Sequence, residues 1–147
     1  MWPDGTVLTA NININPNYNW QIINQRSTKD LNDLQLGERS TLTFTVKNTG
    51  ESIWYPDGNF QFLIKNSNPN DRISTFADST WIDSSTPMKL SSVVLPGEEV
   101  EMSFVIKATS TGDYTEVFMP YISNYGYFNT NALTYTAKAS GFVRTTQ

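Results

Sequence analysis

Apolar and polar residues alternate along most of this chain. Thr41-Leu42-Thr43-Phe44-Thr45-Val46-Lys47 sets Leu42, Phe44 and Val46 on one side and threonines on the other. Val100-Glu101-Met102-Ser103-Phe104-Val105-Ile106-Lys107 repeats the pattern, with Val100, Met102, Phe104 and Ile106 inward. Leu133-Thr134-Tyr135-Thr136-Ala137-Lys138-Ala139 repeats it once more. Successive side chains of a strand point to opposite faces, so alternation of this length marks strands with one buried side. Thr, Val, Ile and Tyr also favour the extended backbone. Further strands are expected over residues 20–25, 53–55, 61–65, 89–94 and 115–121. Turn signals separate them at Leu36-Gly37-Glu38, Asn48-Thr49-Gly50, Pro56-Asp57-Gly58, Pro96-Gly97-Glu98 and Thr111-Gly112-Asp113. No window carries a helical period. The pattern predicts an all-β fold, an immunoglobulin-like β-sandwich of about seven to nine antiparallel strands.

The sandwich is expected over residues 20–143, preceded by an arm or extra strand at 1–19 and followed by a tail at 144–147. In the arm, Leu8-Thr9-Ala10-Asn11-Ile12-Asn13-Ile14 alternates before Pro16. The other unusual segment is the long connection from Asn66 to Pro87, rich in Asn, Asp, Ser and Pro and carrying Phe76 and Trp81. A connection longer than about 12–15 residues is usually functional or disordered, and burial of its Phe and Trp would mark it as ordered.

Composition narrows the chemistry. The 147 residues fit one domain. There is no Cys and no His, which removes disulfides, thiolate metal sites and the usual general base near neutral pH. The net charge of −4, without any cluster of Lys and Arg, disfavours nucleic acid and anionic membrane surfaces as partners. No apolar run approaches the roughly 20 residues of a membrane span. The start, Met1-Trp2-Pro3-Asp4-Gly5, lacks the basic and apolar regions of a signal peptide. This start fits either a cytoplasmic protein or a mature or excised segment behind an added Met, and the second is the preferred reading. The polar surface is built from Asn, Thr and Ser, a composition suited to an extracellular protein.

Several short motifs now fall into order. Val46-Lys47-Asn48-Thr49-Gly50 followed by Ile53-Trp54 resembles the KNTG…W signature of four-tryptophan immunoglobulin-like domains. Val94-Leu95-Pro96-Gly97-Glu98-Glu99-Val100 resembles that family's PGE turn, and Thr111-Gly112-Asp113-Tyr114 its GxY motif. The family's bacterial surface branch is the nearer likeness. Asn68-Pro69-Asn70-Asp71-Arg72-Ile73-Ser74-Thr75-Phe76, then Trp81, is similar to its NPxDR-S-x-F…W loop, and Tyr114-Thr115-Glu116-Val117-Phe118 to its Y-x-E-x-F strand. The resemblance spans about residues 20–139. It implies a module appended to secreted bacterial proteins, with a role in cell-surface or glycan attachment. The chain departs from the autophagy-receptor pattern, because only Trp54 aligns among the usual tryptophans.

Physically, most of these residues are structural. Asn48 and Gly50 tolerate the positive φ of a turn, and Pro96 and Gly97 suit a tight one. Trp54 is expected to pack across the two sheets with its indole N–H satisfied. The candidate ligand-binding residues are Tyr121, Tyr125, Tyr127 and Phe128, in a Gly-containing loop with Asn neighbours, together with Trp81. Aromatic faces can stack on sugar rings while amides bond the hydroxyls. The alternative is that these rings cap one end of the sandwich. Asp71, Asp78 and Asp83, with Asn66, Asn68 and Asn70, offer hard oxygen ligands of the kind calcium takes, but in no EF-hand spacing. Asp71 beside Arg72 equally suits an ion pair. Glu98, Glu99 and Glu101 read as exposed carboxylates, not the cleft pair that glycosidases need. Lys47, Lys107 and Lys138 lie on expected outer faces, which disfavours Lys–Asn cross-links.

The expected function is therefore non-catalytic: an extracellular or cell-surface module that binds a glycan or a surface protein, with no cofactor. The alternative is a structural spacer or fibre subunit that self-associates through residues 8–14.

Overall fold

The structure, a computed structural model, describes residues 16–67, 72–128 and 130–141. The Leu8–Ile14 alternation, Asp71 and the tail lie outside the described residues. Among the described residues nine strands form two sheets: β1 (Trp20–Ser27), β2 (Leu34–Gln35), β3 (Arg39–Asn48), β4 (Phe62–Ser67), β5 (Met88–Lys89), β6 (Glu99–Lys107), β7 (Gly112–Ile122), β8 (Gly126–Tyr127) and β9 (Leu133–Ser140). One sheet has the order β1-β3-β6; the other has the order β2-β9-β7-β4-β5, with β8 beside β7. The expected sandwich is present. Its strands are antiparallel except for the short β2–β9 pair, which is parallel.

Two expected strands contract. Residues 53–55 and 89–94 meet only through an isolated bridge between Trp54 and Val94, although Met88 and Lys89 do pair with β4. The remainder of 89–94 is irregular, because Ser91-Ser92 interrupts the alternation and both residues are exposed.

The core is what the alternation dictates. Leu42, Phe44 and Val46 of β3 and Met102, Phe104 and Ile106 of β6 face Phe62 and Ile64 of β4, Phe118 and Ile122 of β7, and Leu133 and Tyr135 of β9, all buried. Phe104 and Phe118 meet edge to face across the two sheets at 4.9 Å. Close aromatic pairs of this kind stabilise beyond their buried area.

The described part of the long connection is anchored to the sandwich. Ala77 bridges to Ile106, so the connection lies along the free edge of β6. Phe76 and Trp81 are buried, and Trp81 touches Phe104 and Phe118, one ring from each sheet. Its indole N–H donates to the Val105 carbonyl. Residues 72–87 of the connection thus form an ordered cover, in keeping with the buried aromatics.

Candidate functional site

Three segments meet at the end of the sandwich where β1 begins and β3 finishes. Residues 16–19 run beside the turn at 49–52: the Glu51 and Ser52 amides donate to the Asn17 carbonyl at 2.9 and 3.1 Å, and the Asn17 amide donates to Ser52 Oγ at 2.9 Å. The contact is close enough that a Cβ on Gly50 would lie 2.3 Å from the Asn17 oxygen. Gly50 is therefore required by backbone proximity. The positive φ expected of it is not used, whereas Gly97 does adopt one, at 88°. Asn48 is fully buried and ties the turn from inside, accepting from the Gly50 amide and donating to the carbonyls of Ser52 and Val94.

An aromatic column fixes Tyr18 at this end. Trp54 packs on Phe62 at 4.6 Å, Phe62 on Phe128 at 5.8 Å, and Phe128 stacks on Tyr18 at 5.3 Å. Tyr125 closes edge-on against Tyr18 at 4.7 Å. The expected acceptor for the Trp54 indole N–H is missing: the atom is buried and unpartnered among the described residues, because the ring is surrounded by other rings.

Beside the column lies an open groove of about 330 Å³, lined by Pro16, Tyr18, Glu51, Ser52, Ile53, Tyr55 and Phe60. Its loops are tied together. Asn124, with a left-handed φ of 64°, donates from its side chain to the Asn59 carbonyl at 2.7 Å, and the Ser123 amide donates to the Gln61 carbonyl at 3.0 Å. Tyr55, Phe60 and Tyr125 are each more than two-fifths exposed. The Tyr18 phenol is pushed above its ordinary pKa, first by burial and then by the neighbouring Tyr125 and Tyr55. Trp54 is buried and bridged to Val94, whereas its neighbours Ile53 and Tyr55 are half-buried and exposed, and Val93 and Leu95 are exposed as well.

The predicted aromatic residues are dispersed by the fold. Tyr121 and Tyr127 pair edge to face at 5.0 Å on the outer face of the larger sheet, with Lys65 over the Tyr121 ring at 4.8 Å. Tyr125 joins the groove end. Phe128 and Trp81 are core residues, so these two rings do not face solvent as a ligand surface requires. Tyr18, Tyr55, Phe60 and Glu51 were not among the sequence candidates. A signal for Tyr55 was present, since the parity that buries Trp54 turns its neighbours outward.

The acidic candidates hold arginine and turns. Asp78 is buried and accepts from Arg39 Nε and from a terminal guanidinium nitrogen, both at 2.9 Å. Arg39 holds the Asp78 carboxyl well below the usual range, against the opposing pull of burial, with help from the Thr80 hydroxyl and amide. Asp83 caps its own turn, accepting from the Ser85 amide at 2.9 Å and the Ser85 hydroxyl at 3.0 Å. Both oxygens of Asp78 are committed to Arg39, and no group of three or more acidic side chains gathers to hold a metal among the described residues.

The 68–76 loop motif and the 114–118 strand motif meet in one buried network. Glu116, inward on β7, accepts from Ser74 Oγ at 2.6 Å, a terminal guanidinium nitrogen of Arg72 at 3.0 Å and the side-chain Nδ2 of Asn66 at 3.4 Å. Parity could have exposed this, because Glu116 shares the inward face of Phe118. Glu99 and Glu101 are exposed as expected, as are Lys107 and Lys138.

No family model and no curated protein matches the chain. Among solved structures it is similar to a CARDB domain from Pyrococcus furiosus, at 14% identity and a TM-score of 0.49, over 84% of this chain and 94% of that one. It is also similar to parts of two β-glucosidases, each at 12% identity. For the enzyme from Erythrobacter marinus the TM-score is 0.44, over 84% of this chain and 16% of that one. For the enzyme from Listeria innocua it is 0.41, over 85% and 16%. The fold assignment rests on the two sheets described above.

Proposed function

We propose that this chain is a non-catalytic binding module of the extracellular kind and that its end groove holds a glycan. The observation that carries this reading is the groove itself, where exposed rings stand on a backbone already tied in place. Pyranose rings have apolar faces and polar edges, so Tyr55 and Phe60 can take the faces while Ser52, Glu51 and the tyrosine hydroxyls meet the edges. A groove formed before binding avoids the cost of ordering loops around the ligand. The absence of His and Cys from the sequence supports a non-catalytic role, as does the commitment of the buried Glu116 and Asp78 to arginines. The motif order favours kinship with the bacterial four-tryptophan branch, and with it a place at the cell surface.

Retention on cell-wall and hexosamine-polymer columns tests the reading. Tyr55 and Phe60 are exposed, so Tyr55→Ala and Phe60→Ala should weaken retention and leave the unfolding midpoint unchanged. Unaltered retention in both variants, or none by the parent across a broad panel, rejects it.

A spacer role has one observation in its favour: Asn17 lies against the 49–52 turn at the groove end, whereas Ser140 bonds Leu36 at the other. Self-association through residues 8–14 would then appear in sedimentation as an oligomer that deletion of residues 2–15 abolishes.

A further inference from the structure

We infer that the groove prefers cationic amino sugars, that is hexosamine chains carrying free amines, over N-acetylated or acidic glycans; the inference rests on the glycan reading above. Glu51 is the one carboxylate in the wall among the described residues, and its backbone is pinned by the bond to the Asn17 carbonyl. No Lys or Arg among the described residues lines the groove. Four of the chain's cations are engaged in ion pairs elsewhere: Arg26 with Glu101, Lys29 with Glu38, Arg39 with Asp78 and Arg72 with Glu116. Lys47, the nearest strand cation by sequence, lies directly across from Glu99 of β6.

Ring faces and a carboxylate favour the same charge. An ammonium group is drawn to the negative face of Tyr or Phe and to Glu51 together. A uronic acid in the same place would meet Glu51 and a molecule of net charge −4. Sugar faces supply the contact area, and the amine decides between sugars of similar shape.

Titration calorimetry on the whole chain discriminates, at slightly acidic pH where the hexosamine amine is protonated. The probes are glucosamine oligomers, N-acetylglucosamine oligomers of equal length, and oligogalacturonate. At low salt the glucosamine oligomer should bind about two- to fivefold tighter than its acetylated counterpart, the range of an exposed charge pair. Glu51→Gln should erase that difference, as should about 0.5 M salt. Oligogalacturonate should bind most weakly. Equal binding of the two hexosamine series, or a preference that survives Glu51→Gln, overturns the charge inference while the groove reading stands. Binding of neither series overturns both.

Discussion

A side chain on Gly50 would have to displace backbone, since the Asn17 oxygen and the Asn19 nitrogen lie 2.3 and 2.8 Å from its Cβ position. Gly50→Ala should therefore destabilise by about 1–3 kcal/mol in urea unfolding and also weaken glycan retention, because residues 17–19 carry Tyr18. Tyr135 predicts the opposite sign. Its hydroxyl is buried without a partner among the described residues, and burial drives its pKa far up, against a small opposing pull from Arg26. Tyr135→Phe keeps the ring and removes an unsatisfied group. It should be neutral or stabilising by up to about 1–2 kcal/mol, read from the denaturation midpoint. Individual residues also set the limit of the sequence reading. Gly50 was legible as a turn residue, but its reason is the approach of a segment more than 30 positions earlier, which no local pattern encodes.

Strands were legible because their faces repeat. Leu42-Phe44-Val46 and Met102-Phe104-Ile106 could belong to nothing else, and both lie on the inner face. The long connection was harder: its order comes from tertiary partners, Ile106 for Ala77 and Glu116 for Ser74 and Arg72. The aromatic site was misplaced for the same reason. Residues 121–128 look like one cluster in sequence, yet a turn at Asn124 and the short β8 send Tyr121 and Tyr127 outside, Phe128 inside and Tyr125 to the end. Glu116 gives the connection its test. Removing its carboxylate strands the Arg72 guanidinium, whose side chain is 25% exposed. Glu116→Ala should thus cost about 2–4 kcal/mol, with Glu116→Gln milder because an acceptor remains. Hydrogen exchange should locate the loss at residues 72–86, where the Phe76 amide donates to Ser74 Oγ.

Acid sensitivity reports on the molecule as a whole. The Asp78 carboxyl is held below its ordinary pKa by Arg39, so the folded state releases this proton more readily than the unfolded chain. Its stabilising share is complete above about pH 4 and disappears as pH falls below that value toward the lowered folded one. Asp78→Asn should be less stable than the parent at neutral pH, and the two Tm-versus-pH curves should draw together at the acid end. A parallel offset at every pH would show that the carboxylate charge is not what Arg39 stabilises.

The first and last of the described strands add a mechanical consequence. β1 starts at the groove end, and β9 finishes at the opposite one. Tension applied through residues 20 and 140 would therefore drag β1 lengthwise past β3 and β9 lengthwise past β7. The seven residue pairs on each seam would resist that load together instead of unzipping in turn.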